Sequence, residues 1–332
     1  MRSGRERTVK TILAQLALAL SVASIAHAQP LTAAERAIVD AVPSEVVPEP
    51  DEHYPGSNEW RHDLFFDAIR DVGGAFVGVG TDQCYTLAAV QGASLLWIVD
   101  YDPLVARVHR MYGALVRASP TPDVFLARFT DAAADDTRTL LEGALASDPE
   151  RVEIVRTLRR NRARFEGYLR HVASLRRDGR ATSWLSDPAL YARVRALFES
   201  DRVIVRTGDV TARTTLRAVG AASERLGTPV RVLYLSNAEA FFGYTRDLAA
   251  NVEALPTDAR SVVLRTFRHP RAVYPAGDTW HYLVQTTSDF EARLALGYRR
   301  VRQIVRDAIT QGLDARGVTS IDERTPRRAH RP

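Results

Sequence analysis

Apolar runs of strand length alternate with segments of helical spacing along this chain, and this alternation limits its fold more than any other feature. The clearest runs are "AFVGV" (75–79), "SLLWIVD" (94–100), "RVIVRTG" (202–208) and "VRVLYLS" (230–236). Continuous apolar runs are typical of strands that are covered on both faces, as in parallel sheets. With further strands at 261–267 and 280–287 and a final helix over 289–311, the alternation predicts an α/β fold with a doubly wound, mostly parallel sheet.

One long segment interrupts this alternation. Asp102-Pro103 and Asp148-Pro149 each place an N-cap residue before a proline at the first helical position. Apolar residues then recur at helical spacing, so residues 103–198 are predicted to form a mainly helical insertion, or cap. The arginines of 151–180 lie opposite the apolar stripe. We interpret them as a solvated helix face, with an anion-binding surface as the alternative.

The rest of the 332-residue chain divides by composition. Prolines among acidic residues predict that 29–56 is a linker or an N-terminal arm. The α/β unit is then a single domain over 57–312, which includes the helical insertion. The ending "RTPRRAHRP" is polar, basic and proline-bearing, so residues 313–332 are predicted to form a disordered basic tail.

Residues 1–28 carry the pattern of a secretory signal peptide. Basic residues precede the apolar run "TILAQLALALSVASIA", and "AHA" ends at Ala28 as a cleavage-like site. A membrane anchor is the alternative, but the run is shorter than the ~20 residues of a spanning helix. We therefore expect cleavage near Ala28, export to the periplasm or out of the cell, and no stable membrane insertion afterwards.

The charge of the chain does not require a nucleic-acid partner. The formal net charge is +5, and the first 28 residues contribute four basic side chains against one acidic side chain, which leaves +2 for the rest. A body that is close to neutral gives no electrostatic reason to expect a nucleic-acid partner. We expect a small molecule as the partner instead.

A glycine turn follows the first strand in "GGAFVGVGTDQCYT" (73–86). Gly78 and Gly80 permit a tight turn and the close approach of a ligand to the backbone. Asp100 lies 20 residues after Gly80, the spacing at which an acidic residue binds ribose in dinucleotide sites. The third glycine of G-x-G-x-x-G is absent and Asp82 adds negative charge, which disfavours a pyrophosphate. The turn therefore predicts a ribose-bearing ligand without phosphates, such as S-adenosylmethionine, and a tight turn without a ligand is the alternative.

Three further polar residues follow strands at the same predicted edge of the sheet. Asp209 follows the third strand of the alternation, and Asn237 and Glu239 follow the fourth. Asn237 is placed to bind a polar group of a ligand, with Glu239 as an acid or base. The alternative is a structural role, in which Ser236 or Asn237 caps the following helix and Glu239 lies in its first turn. Both interpretations stay open, and "SNE" at 57–59 carries the same ambiguity.

Cys84, His109 and His281 are interpreted as structural residues rather than reactive ones. Cys84 is the single cysteine, and the sequence places no histidine beside it to activate the thiol. The chain contains no H-E-x-x-H or C-x-x-C motif. No metal cofactor is therefore expected.

Five segments occur together in one order, and they carry a resemblance. They are "GGAFVGVGTDQCYTLAA", "VDYD", "HRMYGAL", "RTGDVTARTTLRAVGA" and "LYLSNAEAFF". In this order they resemble an uncharacterised family of bacterial proteins whose Rossmann-like fold is similar to that of class I S-adenosylmethionine-dependent methyltransferases. The resemblance extends over residues 55–270.

This resemblance implies a set of roles. Gly78 and Gly80 would lie beneath the methionine part of S-adenosylmethionine, Asp100 would bind ribose, and Asp209 would lie near the adenine. We also expect Asp82 to bind the cofactor, as part of the loop 78–82. Asn237 and Glu239 would face the substrate. The implied function is an exported methyltransferase that acts on a small molecule. The alternative is an exported, non-catalytic protein that binds a ligand or a partner and retains the fold, so enzymatic activity is left open.

Overall fold

The computed structural model describes residues 29–48 and 50–327. The signal peptide predicted over 1–28 lies outside the described residues. The strands are β1 (Ala75–Gly78), β2 (Leu95–Asp100), β3 (Arg176–Arg177), β4 (Arg180–Ala181), β5 (Val203–Thr207), β6 (Val230–Ser236), β7 (Val262–Phe267), β8 (His281–Thr286) and β9 (Val318–Ile321).

Helices connect these strands on both faces of the sheet. The α-helices are α1 (Ala33–Asp40), α2 (Phe66–Ile69), α3 (Gln83–Gln91), α4 (Pro103–Arg117), α5 (Pro122–Ala127), α6 (Ala134–Ala144), α7 (Arg151–Ser174), α8 (Pro188–Glu199), α9 (Thr215–Arg225), α10 (Arg246–Glu253), α11 (Thr287–Ala295) and α12 (Val301–Gln311). Short 3-10 helices lie at His62–Phe65, Asp131–Ala133 and Ala238–Ala240.

Seven strands form the main sheet, in the order β5-β2-β1-β6-β7-β8-β9. The five strands from β5 to β7 are parallel, β8 runs antiparallel to β7, and β9 is parallel to β8. When the separate β3–β4 hairpin is left out, β1, β2, β5, β6, β7 and β8 are strands one to six in chain order. Their order across the sheet is then 3-2-1-4-5-6, which is the order of the Rossmann fold. The strand order reverses between β1 and β6, so the ligand crevice of such a fold is expected above their carboxyl ends.

Strand side chains enter two cores, one on each face of the sheet. Leu96 and Ile98 of β2 pack into the first core, while Trp97 and Val99 pack into the second. This period of two, with both sides buried, is what a doubly wound sheet requires. The predicted fold class, a doubly wound and mostly parallel α/β sheet, is confirmed.

The predicted helical segment 103–198 is helical over most of its length, and its helices cover one face of the sheet. Its helices α4 to α8 contribute apolar side chains to the first core, where Val108 and Leu115 of α4 join Phe76 of β1. The strand residues on that face need an apolar cover, and these helices supply it.

The end of the chain also differs from the sequence-based expectation. Residues 318–321 form the edge strand β9, although a disordered tail was expected over 313–332. The last predicted helix is interrupted at Gly297, whose φ of 86° ends α11 before α12 begins. β9 forms by pairing with β8. The break between α11 and α12 depends on a turn conformation that glycine adopts without strain.

An N-terminal arm, described over residues 41–48 and 50–61, crosses the carboxyl edge of the parallel strands. The amide of Glu45 donates to the last residue of β5 at 2.8 Å, and His53 donates to Asp102 after β2 at 2.9 Å. The amide of Arg61 donates to a tyrosine hydroxyl of β8 at 2.8 Å. The arm therefore runs over the expected ligand crevice. It includes part of the segment 29–56, which was predicted as a linker or arm, and residues 57–61 of the predicted domain.

Candidate functional site

The glycine turn and Asp100 are joined directly. The amide of Gly80 donates to Asp100 Oδ2 at 2.6 Å, and the amide of Asp102 donates to Asp100 Oδ1 at 2.9 Å. Gly80 has a φ of 86°, in the left-handed region that favours glycine. The sequence spacing between Gly80 and Asp100 therefore corresponds to a contact at the carboxyl ends of β1 and β2.

Asp100 retains the capacity to bind a ligand in this geometry. Burial raises the pKa of its carboxyl above the ordinary value, against the opposing effect of the two backbone hydrogen bonds. A carboxylate has about four acceptor positions, and the backbone amides use only two of them. Asp100 is half-buried as a residue, and the two remaining acceptor positions of its carboxylate suit hydroxyl donors such as those of ribose.

His109 supports the turn from below. Its Nε2 lies 2.9 Å from the carbonyl oxygen of Gly80 and its Nδ1 lies 2.6 Å from the hydroxyl of Tyr85. A carbonyl only accepts, so Nε2 carries the proton and Nδ1 accepts from Tyr85. Burial lowers the pKa of His109 to about 4, and the ring is neutral. His109 is thus a structural residue, as the sequence indicated.

Glu59 of the arm is inserted at the switch point. Its carboxylate accepts hydrogen bonds from Tyr234 at 2.5 Å, Ser236 at 2.6 Å and Thr266 at 2.5 Å, all on β6 and β7. His62 Nε2 lies 3.2 Å from the same carboxylate. Glu59 is 1% exposed. The arm therefore fills the crevice with a carboxylate that has protein partners on every side.

The pKa of Glu59 reflects these partners. Burial by itself would raise the pKa of the carboxyl. The hydrogen bond and charge of His62, with the hydroxyls of Ser236 and Thr266, outweigh burial and hold the pKa below its ordinary value. Glu59 is consequently ionised in the folded protein near neutral pH.

Asp82 begins α3, but its side chain does not cap the helix. The carboxylate accepts from the hydroxyl of Tyr168 at 2.7 Å and from Trp184 Nε1 at 2.9 Å. Burial raises the pKa of Asp82 above its ordinary value. Asp82 thus lies against the helical layer, beside the crevice.

A small polar cavity remains between the arm and the helical layer. It has a volume of about 20 Å³, and its lining includes Ser57, Glu59, His62, Asp82 and Tyr168. A space of this size holds one water molecule. This cavity is therefore too small for a ligand of nucleoside size, and enlarging it requires displacement of the arm.

Glu239 and Asn237 lie at the end of β6, but they have different surroundings. Glu239 is 3% exposed and accepts from Arg265 Nε at 2.5 Å and from Tyr244 at 2.6 Å. Asn237 donates to Asn58 Oδ1 of the arm at 3.2 Å. Glu239 is therefore committed to a buried ion pair, whereas Asn237 lies at the surface of the crevice beside the arm.

Asp209 lies at the end of β5, in a local turn. Its carboxylate accepts from the amide and the hydroxyl of Thr211 at 2.8 and 2.7 Å. Its own amide donates to Glu45, whose carboxylate also accepts from the amides of Thr214 and Thr215. The arm thus supplies a carboxylate to the backbone amides at the start of α9, the position at which anionic groups are stabilised.

The remaining candidates are structural. Asp102 caps α4 by accepting from the amide of Leu104 at 2.8 Å, and it also accepts from His53. Cys84 is buried, and burial raises the pKa of its thiol well above the ordinary value. His281 bonds to a carbonyl and to Thr319. Among residues 29–48 and 50–327, no group of three or more His, Cys, Asp or Glu side chains is placed to hold a metal ion.

Reasoning from the sequence gave too little weight to Glu59 and did not identify His62 or Tyr168. The available signal was "SNE" at 57–59, which resembles "SNAE" at 236–239. Partners of Glu59 lie up to 207 residues away in the chain, so no local pattern indicates them.

The strand order and the crevice at the switch point define an α/β protein of Rossmann type. A family described as "Domain of unknown function (DUF7790)" matches residues 54–322, and the chain belongs to this family. No curated protein matches the chain.

Two solved structures of the rRNA methyltransferase aviRa from Streptomyces viridochromogenes are similar to the chain. The structure at 2.4 Å has 16% identity and a TM-score of 0.26, covering 64% of this chain and 74% of that one. The structure at 1.5 Å has 15% identity and a TM-score of 0.27, covering 74% and 85%. The fold class assigned here rests on the strand order and not on these matches.

Within the part of the chain that the structure describes, no helix combines the length and the apolar character needed to cross a membrane.

Proposed function

We propose that this protein binds S-adenosylmethionine where the turn at 78–80 meets Asp100, and transfers its methyl group to a small molecule. The observation that carries the proposal is the 2.6 Å contact between the amide of Gly80 and Asp100 at the edge beside the switch point. Open α/β sheets bind ligands at this edge, and an acidic residue at the end of the second strand recognises ribose.

The charge of the crevice favours this ligand over a phosphorylated nucleotide. Asp82, Asp100 and Glu59 are carboxylates at or beside the crevice, and a phosphate would be repelled by them. S-adenosylmethionine carries a positive sulfonium and no phosphate. Asp209, at the end of the neighbouring strand, is the candidate for the adenine end, and Asn237 is the candidate for contact with the substrate. Glu239 has no place in the proposal as acid or base, because Arg265 and Tyr244 occupy its carboxylate.

A second function is favoured by the position of the arm, whose Glu59 lies in the crevice. A cavity of about 20 Å³ is far below the roughly 300 Å³ of ligand pockets. If the arm stays in place, the protein retains the fold without the chemistry and acts as a non-catalytic binding protein. The two functions differ in whether the arm opens for S-adenosylmethionine.

Calorimetric titration and thermal denaturation of the full chain with S-adenosylmethionine and S-adenosylhomocysteine test the proposal. A ligand at 100 times its dissociation constant stabilises the folded state by about 2.7 kcal/mol, which raises Tm. We expect Asp100→Asn to abolish the rise and the exposed Asp136→Asn to preserve it. Absence of binding by both compounds to the folded protein overturns the proposal and leaves the non-catalytic function.

The proposal includes export, with cleavage near Ala28 and a periplasmic or extracellular location. Its support is the order of basic, apolar and small residues in the first 28 positions. N-terminal sequencing of the protein recovered from cell fractions tests it. A protein that starts at Met1 and stays in the cytoplasm contradicts export.

A further inference from the structure

A second cleft lies on the outer side of the arm, between the arm, α4 and α7. We call it the arginine cleft. It has a volume of about 270 Å³, and its charged lining residues are Arg107, Glu153, Arg156, Arg160 and Arg164, with His53 at the arm. This volume is close to the lower end of the range for small-molecule sites, roughly 300 Å³.

The cleft has an excess of positive charge that the protein does not neutralise. Arg107 Nε lies 2.8 Å from Glu150, and Arg156 pairs with Glu153. The side chains of Arg160 and Arg164 are exposed, and they make no hydrogen bond or ion pair with any residue in 29–48 or 50–327. Among the described residues, these two guanidinium groups of the cleft therefore have no acceptor.

Other arginines of α7 do have acceptors. Arg162 donates to backbone carbonyls of the segment before α6 at 3.2 and 3.3 Å. Arg170 pairs with Glu166 one turn away at 2.9 Å. These contacts explain Arg162 and Arg170 as structural residues, but they give no account of Arg160 and Arg164.

Arg156, Arg160 and Arg164 follow one another at intervals of four residues, so they form one stripe on α7. Like charges at this spacing destabilise a helix rather than stabilise it. The stripe therefore has no benefit for the helix itself, and an anion in the cleft would remove the repulsion.

We propose that the arginine cleft binds a small ligand with two oxyanion groups, phosphate or carboxylate. Arg160 and Arg164 are about 6 Å apart along the helix axis, so each can take one group of the same ligand. Guanidinium groups bind such oxygens in a bidentate manner. Pro55 and Leu104 provide an apolar wall for the body of the ligand. The arginine cleft is lined mainly by positive charges, whereas the crevice is lined by carboxylates, so this site is independent of the proposed function.

Isothermal titration of the full chain with pyrophosphate and, separately, with citrate tests this site at low ionic strength. We expect one of the two to bind with a stoichiometry of one, and the probe that binds distinguishes phosphate from carboxylate recognition. Charge-assisted hydrogen bonds contribute strongly, so the double variant Arg160→Gln/Arg164→Gln should weaken binding about tenfold or more.

The control is Arg159→Gln, which removes an equally exposed arginine of α7 from outside the cleft lining. We expect its affinity to remain within about twofold of the original, as for surface changes without direct contact. If neither probe binds the folded protein, the site does not exist. If Arg160→Gln alone and Arg159→Gln weaken binding equally, the attraction is a diffuse surface charge and the proposal is overturned.

Discussion

Glu59 accepts a 2.6 Å hydrogen bond from Ser236, although 177 residues separate them in the chain. This contact fixes the N-terminal arm at the carboxyl end of β6, at the switch point of the sheet. The crevice in which Rossmann-type folds bind ligands is thereby occupied by a side chain of the protein itself. Any ligand that enters must first displace this carboxylate or the arm that carries it.

Glu59→Gln should destabilise the folded protein by about 1–3 kcal/mol. The amide cannot accept from all three hydroxyls and the histidine, so buried donors are left without partners. Urea denaturation followed by circular dichroism measures the loss. Hydrogen exchange at residues 57–62 should increase in the same variant.

The matched control is Asp51→Asn, which changes an exposed acidic residue of the same arm. We expect no more than about 0.5 kcal/mol of change there. Equal urea midpoints for Glu59→Gln and the original protein would show that the arm is not held by this carboxylate.

His109 should make stability depend on pH between 4 and 6.5. Its pKa is about 4 in the folded protein and 6.5 ordinarily, so the unfolded chain binds more protons in this window. The stabilisation is fully present above pH 6.5 and is lost as pH falls towards 4, by up to about 3 kcal/mol. Denaturation in urea at a series of pH values measures this slope.

His109→Gln should flatten the slope in that window, even if the variant is less stable at every pH. His269→Gln, at a loop position, serves as the control and should retain the slope. A variant His109→Gln with the original pH dependence would refute the assignment of a buried neutral imidazole.

Arg265→Met should cost about 3–5 kcal/mol, because it leaves Glu239 charged and unpaired in the interior. The double variant Arg265→Met/Glu239→Gln should be more stable than Arg265→Met. A double-mutant cycle from urea denaturation gives the coupling, which we expect to be about 2 kcal/mol or more.

Arg138→Met provides the comparison for an ion pair at the surface. Arg138 pairs with Glu142, and both side chains are about half exposed (48% and 47%), so we expect no change in the urea midpoint beyond the error of the measurement. If the changes in the free energy of unfolding caused by Arg265→Met and Glu239→Gln are additive, the buried ion pair is contradicted. Glu239 would then again be a candidate for a reactive group.

Local signals were sufficient for the elements of the fold. The apolar runs of β1, β2, β5 and β6 and the cap at Asp102 depend on residues within a few positions of one another. Periodicity and capping act over that distance, which is why both were predictable. The spacing of Gly80 and Asp100 belongs to the same group, because a strand–helix–strand unit brings these two ends together.

The surroundings of the site were not predictable in this way. Glu239 has the sequence context of a strand-end residue with a catalytic or capping role, but its partner Arg265 lies on another strand. β9 forms because it pairs with the open edge of β8. This pairing could not be predicted from the polar composition of the tail.

The sequence by itself determined the class of fold, since strand and helix periodicities are local properties of the chain. Only the tertiary structure decided that the arm closes the crevice through Glu59 and that arginines of α7 line a cleft. These features arise from contacts between residues far apart in the chain, whose energies depend on burial and on the dielectric surroundings that the complete fold creates.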